Sequence, residues 1–584
     1  MVFIFEDSRG ARPLARWVRA GGAPSWADFI VFILLAAGAV LVFRGAEDMS
    51  APLAQLRTTP VVLDPTMLPE YALRTTLRMF AALGASLLFT FVVATLAAKS
   101  RKAGLIIVPA LDILQSVPVL GFLTFTVTLF LGLFPGSQLG AECAAIFAIF
   151  TAQAWNMAFS FYQSLRTVPK DLDEVSQQFG FSAWRRFVRL ELPFALPALV
   201  WNMMMSMSGA WFFVVASEAI TVGNTTVTLP GIGSWLALAI DREDFGAIGM
   251  AVGAMAVVIL LYDQLAFRPI VAWADKFRFE QTASQQRPRS WLYDLIRRTR
   301  WLGRLGNLLV TPLHWLGGLR LPRLPVARQL RVAPAASRAF DRLWLAFVAI
   351  TSVAAFWTLA QYIAASLSWH DGLTAFGLGL LTLLRVVVLI AIASLIWVPV
   401  GVWIGLRPAW AERLQPVAQF LAAFPANVMF PFAVIAILGL HLDPNIWLSP
   451  LMVLGTQWYI LFNVIAGASA IPTDMKEASA MFGIRGWQWW RQVAIPAIFP
   501  YYVTGALTAS GGSWNASIVA EAVTWGDKHL EAAGLGSFIA NATRTGDYPR
   551  VALGIAVMSI FVIAFNRTLW RPMYRFAERR LRLD

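Results

Sequence analysis

The sequence predicts an all-α polytopic membrane protein of about twelve transmembrane helices in two parallel six-helix repeats. Three observations predict it. The 584 residues are 58% hydrophobic and only 14% charged, with a mean hydropathy of +0.64, which is too apolar for a water-soluble chain of this length. Apolar runs of about 20 residues, long enough to cross a bilayer as helices, recur along it. One set of residues also occurs twice at a constant spacing of 303 positions. Pro169, Glu174, Gly180, Trp184, Pro193, Pro197, Trp211 and Glu218 reappear as Pro472, Glu477, Gly483, Trp487, Pro496, Pro500, Trp514 and Glu521. The match continues through Gly231/Gly534, Gly233/Gly536 and Asp244/Asp547. A period this long means two whole domains in one chain.

In the first half the apolar runs lie near 26–43, 77–98, 113–133, 143–164, 195–217 and 246–267. In the second they lie near 343–364, 381–405, 417–440, 447–468, 499–520 and 550–569. Backbone polar groups in lipid must be satisfied within the segment, which selects helices. The alternation of a membrane barrel is absent. The earlier helices match at a second offset, 307, through Arg78/Arg385, Pro109/Pro416 and Pro118/Pro425. The connection between the third and fourth helices is therefore expected to differ by four residues between the halves.

Basic residues set the orientation. Arg9, Arg12, Arg16 and Arg19 place the N-terminal tail in the cytoplasm. Lys99, Arg101, Lys102, Arg166, Lys170, Arg185 and Arg186 then fall inside, as do Arg571, Arg575, Arg579 and Arg580 near the C-terminus. The opposite loops hold acids: Glu47, Asp48, Asp64 and Glu70, then Asp241, Glu243 and Asp244. This bias accounts for the net charge of +14 without a nucleic-acid partner. The N-terminus does not read as a cleaved signal. A single cysteine, Cys143, cannot form an intrachain disulfide, and four scattered histidines suggest no metal site.

The chain divides into a first repeat at 1–272, a basic linker at 273–341 and a second repeat at 342–584. The linker is rich in Arg, Pro and Gly, and its segment from Trp291 to Trp315 interleaves Leu and Trp with arginines. Such a stretch suits an anionic membrane surface. Six spans return the chain to its starting side, so the repeats run parallel, related by an axis along the membrane normal.

The best-matched part of the repeat is a polar loop between the fourth and fifth spans. Pro169 and Pro472 each open a short helix, where a missing N–H costs nothing. Asp171 and Asp474 suit its positive N-terminus. Gly180 and Gly483 end it. A second short helix is expected to follow and to stop before the Pro193-x-x-x-Pro197 and Pro496-x-x-x-Pro500 entries to the fifth span. Each loop is then a compact helical knob on the cytoplasmic side.

These loops resemble the EAA loop of ABC importer permeases, whose pattern is Glu-Ala-Ala, then Gly, then Ile/Leu-Pro. Glu477-Ala478-Ser479 is close to it, whereas Glu174-Val175-Ser176 departs at both small positions. Leu111-Asp-Ile-Leu-Gln-Ser-Val-Pro118 and Val215-Ala-Ser-Glu218 are most similar to the nitrate/sulfonate/taurine/bicarbonate branch. The resemblance implies a type I importer permease, not an enzyme, in a bacterial inner membrane with both termini cytoplasmic. It implies that Glu174, Gly180, Glu477 and Gly483 dock two copies of an ATP-binding subunit. ATP and Mg would belong to that partner, with no cofactor in this chain. A periplasmic or extracellular binding protein would deliver a small anion.

The rival reading is a twelve-helix, ion-coupled secondary transporter. Such carriers need ionisable groups deep in the membrane, and the apolar runs here hold almost none. No Walker-A phosphate loop occurs either, so an ATP-driven machine would draw on an external ATPase.

Several residues are candidates for the pathway. Ser206, Ser208 and Gly209 in one fifth helix, and Ser510, Gly511, Gly512, Ser513 and Asn515 in the other, line either a polar path or a close helix contact. Pro118 and Pro425 fall early in the third helices, as a static kink or a gating hinge. Arg78 and Arg385 lie about one turn into the second run of each half, and Glu218 and Glu521 at the outer end of the fifth. They are expected to pair within each half, with the arginines also open to an anion at the outer mouth.

Overall fold

The structure, a computed structural model, describes residues 26–49, 61–116, 119–222, 225–277, 290–299 and 334–580. Among them eight helices are long and apolar enough to cross a membrane, and two bent helix pairs raise the number to ten. The remaining two predicted runs are the 24-residue helix Trp26–Met49 and the 15-residue helix Val119–Leu133. Among the described residues all twelve runs are mainly helical, but they do not form twelve uninterrupted spans. The chain is a multi-pass membrane protein.

The interruptions have local causes. Val417–Ala423 and Ala426–Gly439 meet at 79°. Phe424 is extended, with φ −69° and ψ 130°, because the ring of Pro425 disfavours helix at the residue before it. Pro425 itself caps a short 3-10 turn, Ala426–Met429. The kink expected at Pro425 is thus a full break between two helices. Pro118 lies outside the described residues. The fourth helix is continuous in the first repeat, Gln138–Arg166. In the second, Pro444–Leu454 and Gln457–Ser469 meet at 45°. The four-residue difference does not lengthen either connection, 134–137 or 440–443. It is absorbed where the third helix ends and the fourth begins.

Two further expectations are corrected. The second short helix of each knob does not stop before the prolines. Ala183–Arg186 runs through a π-turn, Phe187–Glu191, into Leu192–Glu218. Gly486–Trp489 runs likewise through Trp490–Ala494 into Ile495–Ala520. The wider turn makes room for Pro193 and Pro496, whose rings would crowd the carbonyl four residues back. The second helices also start well before their apolar runs, at Leu68 and Trp369. Arg78 and Arg385 therefore sit several turns inside them, not one.

Each fifth helix ends in a short antiparallel hairpin. β1 (Ala219–Val222) pairs with β2 (Thr225–Thr228), and β3 (Ala522–Trp525) with β4 (Lys528–Glu531). The β-branched residues around Gly223-Asn224 and Gly526-Asp527 favour this turn. Gly526 has φ +54°.

Within each repeat the second, fourth and fifth helices form the core. The repeats meet at their hairpin ends. Gly526 N donates to Ile240 O across the boundary at 3.1 Å, and Phe245 lies 5.0 Å from Trp525, centroid to centroid. Like ends lie together, so the two repeats run parallel. In the linker, Trp291–Arg298 is helical, with Leu292 and Leu295 packed on Val31 of the first helix. Residues 300–315 of the Trp291–Trp315 segment lie outside the described residues. The second repeat's first helix starts at Pro334.

Candidate functional site

At the hairpin end, each fifth helix closes on the second helix of its own repeat through a buried carboxylate. Glu218 Oε1 accepts from Thr75 Oγ1 and Arg78 Nη1, each at 2.7 Å, and Oε2 accepts the Gly233 N–H at 2.7 Å. Glu521 repeats this with Thr382 and Arg385 Nη1, each at 2.9 Å, and the Gly536 N–H at 2.8 Å. The paired arginines and glutamates are thus brought together as expected. The glycines permit it: a Cβ at Gly231 or Gly534 would stand 2.3 or 2.2 Å from the carboxylate oxygen.

The two nodes differ. Glu142, at the start of the fourth helix, grips Arg78 from its other edge. Its oxygens take Nε and Nη2 at 2.6 Å each. Arg78 has no exposed surface, and neither does Glu218, so neither side chain meets a solute. Among the described residues Arg385 has no second carboxylate. Asn445 stands at the position matching Glu142 and accepts the Ala533 N–H at 2.8 Å.

Nearer the hairpin end than the knobs, the fifth helix of each repeat meets the third-helix region of the other. Asn515 Oδ1 accepts the Val119 N–H, and the Phe212 carbonyl accepts from Asn427 Nδ2. Phe212 and Asn515 are matching positions. Tyr459 reaches from the second repeat to Gly209 of the first, its hydroxyl 3.0 Å from where a Cβ would be. Ser208 is half-buried and bonds back to Met204 O. Ser513 is fully buried and bonds to Thr456 at 2.9 Å, within its own repeat. Of the small polar residues singled out, Asn515 is the one bonded across the repeat boundary.

The knobs stand at the other end of the bundle. Lys170–Gln178 and Thr473–Met481 each end with the glycine in the left-handed region, Gly180 at φ +65° and Gly483 at φ +66°. The next N–H bonds back to Ser176 O or Ser479 O, closing the helix end. Glu174 and Glu477 are exposed, and among the described residues neither carboxylate has an ion pair or hydrogen bond. Large apolar side chains surround them in solvent: Phe179 and Trp184 on the first knob, Met481, Phe482 and Trp487 on the second. An exposed apolar patch beside an unpaired acid is unusual on a surface that meets only water.

The first knob is also tied to the body by a chain of ion pairs. Lys99, at the end of the second helix, pairs with Glu191. Glu191 takes Arg186 at 3.0 Å, and Arg186 takes Asp173 of the knob helix at 3.0 Å. The matching positions in the second repeat are Leu406, Ala494, Trp489 and Lys476, which cannot form such a chain.

Sequence reasoning missed Glu142, Thr75, Thr382 and Glu191. Thr75 and Thr382 recur at the same 307 offset as the arginines, so the repeat carried that signal. Glu142 and Glu191 have no acidic counterpart, and a search by repetition passes over them.

Comparison with known proteins matches the chain twice to the family described as Binding-protein-dependent transport system inner membrane component, over residues 86–267 and 397–583. The Nitrate import permease protein NrtB of Leptolyngbya laminosa is 26% identical over 185 residues, 32% of this chain and 63% of that protein. The Bicarbonate transport system permease protein CmpB of Synechococcus elongatus is 28% identical over 187 residues, 32% of this chain and 64% of that protein. The Glycine betaine/proline betaine transport system permease protein ProW of Escherichia coli is 31% identical over 163 residues, 28% of this chain and 41% of that protein. This chain spans less than two thirds of each of these three relatives.

Proposed function

We propose a function from one premise: this chain belongs to the binding-protein-dependent transport system inner membrane component family, whose unit it carries twice. It is the membrane-spanning permease subunit of an ATP-driven ABC importer, with the two fused repeats forming one path. The observation that carries this reading is the pair of knobs, each with an unpaired exposed glutamate beside exposed apolar side chains. Two copies of an ATP-binding subunit dock there, one per knob, and ATP and Mg bind in those copies. Glu174, Gly180, Glu477 and Gly483 are the coupling residues. Closure of the ATPases rocks the repeats against each other, with the contacts around Asn515 and Pro425 at the moving boundary.

The knobs and both termini lie in the cytoplasm of a bacterial cell, and the hairpin end faces outward, where a binding protein delivers substrate. The domain division is 1–272, 273–341 and 342–584, with both family matches falling inside the repeats. The substrate is a small anion of the nitrate, hydrogencarbonate or sulfonate kind. The nitrate and bicarbonate permeases among the relatives support that class.

Co-purification tests the reading. Glu174→Arg and Glu477→Arg should each weaken ATPase attachment while leaving the thermal unfolding of the membrane domain unchanged. Unaltered attachment and transport in both variants would sink it.

A further inference from the structure

We propose that the outward-facing edge of Arg385 is a binding site for a small planar oxyanion, which occupies in the second repeat the place that Glu142 holds in the first. The two nodes are built alike up to one contact. Nη1 of Arg78 donates to Glu218 and to Pro230 O; Nη1 of Arg385 donates to Glu521 and to Ala533 O. Pro230 and Ala533 are matching positions. On the opposite edge, Arg78 gives Nε and Nη2 to the two oxygens of Glu142 as a fork. Among the described residues nothing accepts from Nε or Nη2 of Arg385.

The difference is written in the sequence at the position matching Glu142. Asn445 stands there and turns its oxygen to the Ala533 N–H instead. Proline at the matching position 230 has no N–H to offer, so the Asn and the Ala changed together in chemical terms. Asp443, the nearest acid along the chain, caps its own helix through Asn445 N. It forms no ion pair with Arg385. The Arg385 side chain is 13% exposed, against 0% for Arg78, so its edge can be reached from outside.

Formal charge points the same way. The first node holds one guanidinium and two carboxylates; the second holds one of each. One bound oxyanion gives the second node the composition of the first. A guanidinium edge presents two parallel N–H groups, which fit a planar pair of oxygens in carboxylate, nitrate or hydrogencarbonate. The structure displays that fit internally, in the Glu142 fork. This deepens the importer reading at its outer mouth and rests on it for its purpose, though not for its chemistry.

The test measures binding on the purified chain, with no ATPase and no uptake. Its failure leaves the importer reading intact, and a failed ATPase co-purification leaves this test intact. The full chain is unfolded thermally in a maltoside micelle, whose headgroup lacks phosphate. Sodium nitrate, sodium acetate and sodium chloride are compared at matched ionic strength. Nitrate and acetate should raise the midpoint by a few degrees above chloride at saturation. Arg385→Lys keeps the charge, removes the fork and should lose the shift. Asn445→Glu supplies the carboxylate within the chain, so it should be at least as stable as the parent and also lose the shift. If only added phosphatidylglycerol raises the midpoint, and both variants abolish that response, the edge takes a tetrahedral lipid headgroup phosphate and the small planar oxyanion is ruled out. Equal midpoints under every condition, or a shift that survives in both variants, overturns the proposal.

Discussion

Asn515 of the second repeat accepts the backbone N–H of Val119, the first residue of a helix in the first repeat, at 2.7 Å. The matching contact in the other direction is weaker. Asn427 Nδ2 meets the Phe212 carbonyl at 3.4 Å, and its buried Oδ1 has no partner among the described residues. The boundary between the repeats is therefore fastened unevenly. Asn515→Leu should destabilise the chain by about 1 kcal/mol, the usual cost of a lost helix cap. Asn427→Leu should be neutral or slightly stabilising, since it removes an unsatisfied oxygen with a poor bond. Thermal unfolding of the two variants reads this directly. A larger loss for Asn427→Leu would contradict it.

Arg78 holds two carboxylates at once, which changes the expected outcome of removing it. Arg78→Ala leaves Glu142 and Glu218 buried and unpaired, a cost of about 3–5 kcal/mol for a broken buried pair. Adding Glu218→Ala should restore only part of it, because Glu142 remains. Arg78→Met with Glu142→Gln and Glu218→Gln should recover most of the stability. Arg385→Ala, whose node is partly exposed, should cost less than Arg78→Ala. Expression and midpoint across this series check the order.

The repeated glycines separate into two kinds. Gly180 and Gly483 have positive φ but nothing within 4 Å of an added Cβ. Alanine there should cost about 1–2 kcal/mol of backbone strain and act on ATPase attachment. Alanine at Gly231 or Gly534 drives a Cβ into the buried carboxylate. Those variants should lose folded protein outright, which size-exclusion yield would report.

The two knobs should differ in stiffness. Glu191→Ala cuts the chain linking Lys99, Arg186 and Asp173. Glu191 is buried while Lys99 and Arg186 are half-exposed, so cutting its two pairs should cost more than the roughly 1 kcal/mol of a surface pair, and backbone exchange in 170–186 should quicken by more than about fivefold. Exchange in 473–489 should not change. Added salt should act on the first knob in the same direction.

Repetition made the site legible. Arg78, Glu218, Glu174, Gly180 and their partners stood out because each occurred twice. It hid what is single: Glu142, which completes the first node, and Glu191, which ties the first knob. Hydropathy found the helices but not their direction, since a run of apolar residues reads alike whether straight or bent at Phe424-Pro425. It also placed the starts of the second helices too late, because their first turns are polar or mixed. The hairpins were readable from Thr and Val around Gly-Asn and Gly-Asp, but they are brief beside the apolar helices.

Both fifth helices join their knobs through a π-turn, and such a turn holds one residue more than an α-turn in the same position. That extra residue is slack in a drive shaft. Taking it up would rotate the knob about 100° and draw it about 1.5 Å along the fifth helix. Deleting Leu190 from Phe187–Glu191 takes it up permanently on one side. The first knob should then face the wrong way for the proposed ATP-binding subunit while the helices around it stay folded. Lost attachment at one knob with a near-normal midpoint is the expected reading; unchanged attachment would mean that the turn transmits no angle.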